Sequence, residues 1–152
     1  MSEETPPLLV SACLAGLPCR YDGRAKPDAA IIALVEKGEA IPVCAEALGG
    51  LPTPRPPAEI TGGSGRDVLD GTARVLTASG DDVTAEFVSG AQEVARLARK
   101  VGAREAILQD RSPSCGCTQI YDGTHSGQRI AGEGVLAATL GGMGITVRPA
   151  DN

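Results

Sequence analysis

Short apolar runs alternate with helix-like segments along this chain, and three of the runs lead directly into a cysteine-bearing loop. Cys13 and Cys44 end two of these runs, and Cys115 follows a third, each time beside Gly and Pro residues. Strands that alternate with helices favour a mainly parallel sheet with right-handed crossovers. The carboxyl ends of such strands share one edge of the sheet, so we expect the three thiols to converge in one crevice. The pattern predicts an α/β fold, a small Rossmann-like sheet flanked by helices.

Local patterns place the individual elements. Strands are read from short apolar runs, and helices from apolar residues spaced by three and four. Asp28 is placed to cap the first helix, Gly102 to end the longest one, and Pro42 suits the margin of its strand better than its centre. We predict strands at 8–13, 40–44, 106–108 and 145–147, and helices at 27–37, 84–101 and 134–140.

The segment between Gly49 and Asp82 is a Gly/Pro-rich excursion, too long for a plain connection inside a compact domain. Asp70 and Gly71 separate two short apolar stretches, 67–69 and 74–76, as a tight turn would. The spacing predicts a β-hairpin there, and we expect the excursion to fold over the crevice.

Composition bounds the class of protein. A chain of 152 residues with 42% apolar residues can bury one core, so we predict a single domain over 1–152 with its core at about 8–148. The net charge of -5 and the three aromatic residues argue against extended nucleic-acid binding, which needs basic surface and stacking platforms. Residues 1–9 lack the features of a secretory signal and no apolar run could span a bilayer, so we expect a cytoplasmic protein without membrane contact.

Five cysteines in a reducing compartment are thiols, metal ligands or catalytic groups rather than a disulfide framework. Three thiolates from separate loops suit zinc or an iron–sulfur cluster and leave one position on the metal centre open. The spacings of Cys19 and Cys117 match no common zinc motif, and either thiol is equally well read as a bystander packed in the core.

Other polar groups near these cysteines could take part in chemistry. Glu46 is a candidate general base beside the open position, or alternatively a solvated loop carboxylate. Ser112 and Ser114 could hold substrate or relay a proton, or else satisfy backbone donors in a turn. His125 is the single histidine, and its Gly/Ser/Thr-rich surroundings predict an exposed side chain.

Several longer motifs resemble the thiouracil desulfidase family. They are the segments Cys13–Gly23, Pro42–Glu59 and Ser112–Gly116, followed by Ile120–Gly127 and Gly132–Gly134. The similarity runs from about Val10 to Leu140, which is nearly the whole chain.

This resemblance implies a 4Fe–4S cluster held by Cys13, Cys44 and Cys115, with one iron free to take the sulfur of a thiolated pyrimidine. It also implies an acid/base pair formed by Glu46 and a serine, for which Ser112 is favoured and Ser114 stays open. The implied reaction is a non-redox desulfuration of 2-thiouracil or a related base or nucleoside to uracil and sulfide. The implied partners are that small-molecule substrate and the cluster-assembly machinery.

Two positions depart from the family pattern. Ala45 stands where the family often has proline, which removes a backbone restraint beside Cys44, and His125 stands where an aromatic residue is usual. The resemblance includes relatives with an extra domain that act on thiolated tRNA. This sequence shows no such extension, so a free base or small nucleoside is the expected substrate here.

Two rival interpretations remain open on the sequence. One is an enzyme without a cluster that uses Cys115 as its nucleophile. The other is a structural zinc or metal-delivery module, closed by Cys19 or Cys117 as a fourth ligand.

Overall fold

A four-stranded parallel sheet lies at the centre of the computed structural model, which describes residues 5–150. In chain order the elements are β1 (Leu8–Ser11), α1 (Ala29–Glu36), β2 (Ala40–Val43), α2 (Ala45–Leu48), β3 (Ala58–Thr61), α3 (Gly65–Leu69), β4 (Arg74–Thr77), α4 (Thr84–Val101), β5 (Glu105–Leu108), β6 (Gln119–Tyr121), β7 (Arg129–Ala131), α5 (Val135–Gly142) and β8 (Thr146–Pro149). The central sheet has the order β2-β1-β5-β8, and every neighbouring pair in it is parallel. The predicted parallel α/β architecture is confirmed.

Both faces of this sheet are buried. Successive side chains of a strand point to opposite faces, and here each set packs into its own core. Leu9 contributes to a core that includes the inner faces of α4 and α5, whereas Val10 packs with Leu14 and Ile31 on the side of α1. Ala106 and Ile107 of β5 divide between the two cores in the same way. The helices therefore flank the sheet, as the continuous apolar runs predict.

The observed ends of α1 and α4 lie at the residues that predicted them. The carboxylate of Asp28 accepts hydrogen bonds from the backbone N–H groups of Ala30 and Ile31, which caps α1. α4 ends at Gly102, whose φ of 70° is a left-handed conformation that glycine adopts without strain. Pro42 lies inside β2 rather than at its margin, and it is tolerated because β2 is an edge strand with one neighbour.

The predicted hairpin around Asp70 and Gly71 is wrong. Residues 67–69 belong to the short helix α3, and β4 pairs in antiparallel fashion with β3 instead. The backbone N–H of Ser64 donates to the carboxylate of Asp67, a contact that fixes the first turn of α3. This capping interaction, three residues before the Asp-Gly pair, selects a helix over a strand.

A second small hairpin, formed by β6 and β7, was not predicted from the sequence. Its strands have three residues each, and β7 is exposed throughout, so neither carries a strong apolar pattern. Within residues 5–150, the structure contains no helix that is both long enough and apolar enough to cross a membrane.

Candidate active site

A cavity of about 460 Å³ opens at the carboxyl edge of the central sheet. Loops after β1, β2 and β5 form its floor, and residues 51–59 of the Gly/Pro-rich excursion form one wall. Its lining contains four cysteines and all three proposed acid/base residues: Cys13, Cys19, Cys44, Cys115, Glu46, Ser112 and Ser114. The convergence expected from the strand ends is therefore present in the folded chain.

Each of the three predicted ligands follows a different strand. Cys13 lies in a 3₁₀ turn, Ala12–Ala15, that continues β1. Cys44 is the residue that precedes α2, and Cys115 lies in the loop after β5. The thiol of Cys44 also points towards the loop after β1, since its Sγ lies 3.9 Å from the carbonyl oxygen of Cys19.

The thiols of the cavity affect one another's ionisation. A hydrogen bond from the thiol of Cys19 lowers the pKa of Cys44 to about 6, and the same bond raises the pKa of Cys19. Burial raises the pKa of Cys13 and of Cys115, and repulsion from neighbouring thiolates adds to the increase. Several thiolates can coexist in this space only with a cationic centre between them, which is the condition that a metal cofactor provides.

The donor set fits a cluster better than a single ion. Among the residues that the structure describes, no three side chains of His, Cys, Asp or Glu are arranged to hold one metal ion. Cys13, Cys44 and Cys115 nevertheless line one cavity and influence each other's charge. Cysteines that hold an iron–sulfur cluster bind separate iron atoms and are spread more widely than the ligands of one ion. The arrangement is therefore compatible with a cluster.

Ser112 organises the backbone around Cys115. Its hydroxyl oxygen accepts hydrogen bonds from the backbone N–H groups of Cys115, at 2.6 Å, and of Ser114, at 3.2 Å. Ser114 is only 1% exposed, and its buried hydroxyl has no hydrogen-bond partner among the described residues. Both side chains contribute to the cavity lining, but only that of Ser112 has a defined hydrogen-bonding role.

Asp110 holds the other end of this loop and was missed by the sequence analysis. Its carboxylate accepts hydrogen bonds from four backbone N–H groups, those of Arg111, Cys117, Thr118 and Gln119. The bonded Arg111 has a φ of 79°, a conformation that non-glycine residues rarely adopt. A carboxylate two residues after a buried strand, at the start of a polar loop, is the signal that could have identified this role.

Glu46 lies in the first turn of α2, two residues after Cys44. Its carboxylate forms an ion pair with Arg55, and the side chains of both residues are largely buried, at 15% and 6% exposed. The alternative of a solvated loop carboxylate is therefore wrong. Arg55, which the sequence analysis did not select, is the second missed residue of the site.

Comparison with known proteins agrees with this geometry. Residues 8–152 match the model of the family described as 2-thiouracil desulfurase. The chain belongs to the 2-thiouracil desulfurase family.

Two relatives of this desulfurase extend the comparison. A Bacillus subtilis (strain 168) protein, described as uncharacterized protein YbbK, is 49% identical over 140 residues, or 92% of this chain and 93% of the relative. A solved structure described as the 4Fe–4S-dependent thiouracil desulfidase TudS is 44% identical. It matches with a TM-score of 0.85 over 97% of this chain and 92% of its own.

Two further residues considered in the sequence analysis, Cys117 and His125, do not line the cavity. Cys117 donates its thiol hydrogen to the carbonyl oxygen of Cys115, at 3.3 Å, and burial raises its pKa to about 12. His125 is half-buried, so the prediction of an exposed side chain is wrong. Its backbone N–H donates to Glu59 Oε1, and its ring Nδ1 lies 3.7 Å from Glu59 Oε2.

Proposed function

We propose that this protein is a thiouracil desulfidase that uses a 4Fe–4S cluster held by Cys13, Cys44 and Cys115, with one iron left free for substrate. The observation that carries the proposal is the convergence of these three strand-end cysteines on one cavity in a member of the desulfurase family. The structure described as the 4Fe–4S-dependent thiouracil desulfidase TudS supports it, because its fold and 44% of its residues match.

The overall reaction replaces sulfur by oxygen without a change of oxidation state. Water adds its oxygen to the thiocarbonyl carbon, the C=S bond breaks, and the sulfur leaves with the two hydrogens of the water as hydrogen sulfide. When bound, the cluster supplies a thiophilic Lewis acid at the substrate sulfur.

In this proposal Glu46 takes a proton from the attacking water. Arg55 occupies its Oε2, while the side chain contributes to the cavity wall, so Oε1 is the oxygen available to the reaction. A positioned carboxylate of this kind contributes roughly a hundredfold or more as a general base.

In this proposal Ser112 is the proton donor of the acid/base pair. Its oxygen already accepts two backbone hydrogen bonds, which leaves its own hydrogen free for a group in the cavity. Ser114 is the weaker candidate because its hydroxyl is almost completely buried.

Anaerobic reconstitution, with iron and acid-labile sulfide analysis, tests the cofactor. We expect Cys13→Ser, Cys44→Ser and Cys115→Ser each to lose the cluster, and Cys117→Ser, the matched control, to retain it. Four indispensable thiols would indicate a closed site, and full activity of the metal-free protein would instead indicate a cysteine nucleophile.

Incubation of the reconstituted protein with 2-thiouracil, 4-thiouracil and a thiolated nucleoside tests the substrate. We expect the thiocarbonyl absorbance of at least one compound to disappear as sulfide is released. If all three remain unchanged while the cluster is intact, the substrate assignment is wrong.

A further inference from the structure

We propose that Arg55 is a positioning residue that holds the Glu46 carboxylate in its working orientation at the cavity wall. The inference rests on the proposed function, in which Glu46 is the general base. It concerns a residue that sequence reasoning about metal ligands and acid/base groups did not select.

All three nitrogens of the Arg55 guanidinium have partners in the folded chain. Nε donates to Glu46 Oε2 at 2.8 Å, and Nη2 lies 2.5 Å from the same oxygen. Nη2 also donates to the carbonyl oxygen of Cys19 at 2.9 Å, and Nη1 donates to the Pro52 carbonyl and the Thr53 hydroxyl at 3.2 and 2.9 Å. Four of the five donors in this rigid fork therefore form hydrogen bonds within the chain, and the side chain is only 6% exposed, so little of it is open to a substrate in the cavity.

Because four of its five donors are used within the chain, we expect Arg55 to influence the reaction through the groups that it holds. Both contacts with Glu46 go to Oε2, and Oε1 accepts no hydrogen bond from the described residues. The guanidinium therefore fixes one carboxylate oxygen and leaves the other for the cavity. A buried ion pair that is further hydrogen-bonded keeps a single geometry, in contrast to an exposed pair.

Arg55 also connects its own segment to the loop after β1 and to α2. Its backbone N–H donates to the carbonyl oxygen of Tyr21 at 2.7 Å, while its side chain reaches Cys19 and the first turn of α2. The carbonyl oxygen of Cys19 that accepts from Arg55 is the same one that faces the Cys44 thiol. The position of Glu46 is thus tied to the loops that carry the proposed ligands.

Lysine cannot replace this arrangement. An ammonium group is a point charge with three donors and lacks the planar fork that engages Glu46 and Cys19 together. Arg55→Lys retains the positive charge next to Glu46 but loses the fixed orientation, so it separates the effect of charge from that of geometry.

The test is a double-mutant cycle in the cluster-loaded protein, with Arg55→Gln, Glu46→Gln and the double variant. We expect Arg55→Gln to retain iron, sulfide and the visible spectrum of the cluster and to leave KM for thiouracil nearly unchanged. Its kcat should fall about tenfold to a hundredfold, since it weakens the general base without removing it. The double variant should be no slower than Glu46→Gln, and Arg55→Lys should recover part of the loss.

The exposed ion pair of Arg96 with Glu93 supplies a matched control, and Arg96→Gln should behave as the unmodified protein. A second readout is independent of activity: the decreases in melting temperature caused by Arg55→Gln and Glu46→Gln should be less than additive in the double variant. Strict additivity in both kcat and melting temperature would overturn the proposal, as would an equal loss of cluster and activity in Arg55→Gln.

Different results would show that the proposed function, rather than the role of Arg55, is wrong. In that case the unmodified, cluster-loaded protein would leave thiouracil intact, or Glu46→Gln would react as fast as the parent. The melting-temperature cycle would still report whether Arg55 and Glu46 act as one unit.

Discussion

The hydroxyl of Ser11, at the end of β1, donates a hydrogen bond to the Sγ of Cys115, at 3.2 Å, across 104 residues of sequence. The same oxygen accepts from the backbone N–H of Gln109, at 2.9 Å, directly after β5. Ser11 is only 2% exposed, so both bonds lie in a region without bulk water. One side chain therefore connects two neighbouring strand ends to the sulfur of a proposed ligand.

We expect Ser11→Ala to alter both stability and the electronic properties of the site. The unpaired Gln109 N–H should lower the free energy of unfolding of the metal-free protein by about 1–3 kcal/mol. In the loaded protein, loss of a hydrogen bond to a ligand sulfur should make the cluster harder to reduce, because that bond stabilises the added negative charge. Denaturant unfolding and redox titration measure the two effects. Ser126 is exposed, and Ser126→Ala is the control. An unchanged reduction potential of the cluster in Ser11→Ala would contradict the proposed effect of the Ser11 hydrogen bond.

Ser112 and Ser114 should respond differently to alanine substitution. Ser112→Ala removes the acceptor of two backbone N–H groups and the proposed proton donor, so kcat should fall at least about tenfold. Ser114→Ala removes a buried hydroxyl without a partner among the described residues, so stability should be unchanged or higher. Steady-state kinetics and thermal unfolding of both variants measure these two effects. The assignment would be reversed if Ser114→Ala were the slower enzyme.

Asp110 should make stability depend on pH in the acid range. Burial opposes its ionisation, but hydrogen bonds from the Thr118 side chain and from the surrounding backbone outweigh that effect and hold its pKa at about 2. The folded pKa is lower than the ordinary value of 3.8, so the stabilisation is complete above that value and disappears as the pH falls towards 2.

Urea unfolding between pH 6 and pH 3 measures this contribution. Asp110→Asn should be less stable at neutral pH by about 1 kcal/mol, a figure reduced for solvent screening of a partly exposed group. The difference from the parent should shrink as the pH falls. Asp70→Asn, an exposed carboxylate at the end of α3, should follow the parent curve. A constant difference at every pH would show that the effect is not one of ionisation.

Gly90 of α4 should tolerate no side chain, because a Cβ there would overlap the backbone carbonyl of Ala45 in α2. Gly90→Ala would push α2 away from α4 and with it the Cys44 and Glu46 side chains. We expect a loss of about 2–3 kcal/mol and a weaker retention of the cluster. Gly141→Ala in α5 meets only open space and should be neutral or stabilise by about 0.5 kcal/mol. Equal tolerance at both positions would contradict the close approach of the two helices.

Much of the fold could be predicted because it depends on local patterns. Asp28 and Gly102 marked helix ends through their own backbone preferences, and the run around Val10 marked a buried strand. The hairpin prediction failed where two local signals competed, since Asp70-Gly71 favours a turn but Ser64 and Asp67 cap a helix just before it. Chain-local rules do not rank two such signals, since a helix cap itself contributes only about 1 kcal/mol.

The sequence by itself determined that Cys13, Cys44 and Cys115 would share one edge of a parallel sheet, because strand direction and loop position follow from the order of apolar runs. Only the tertiary structure decided which side chains control those sulfurs and the carboxylate beside them. Arg55 finds its partners 9 and 36 residues away, and Ser11 finds Cys115 across 104. Such contacts depend on how loops pack in three dimensions, and no spacing along a single chain records that packing.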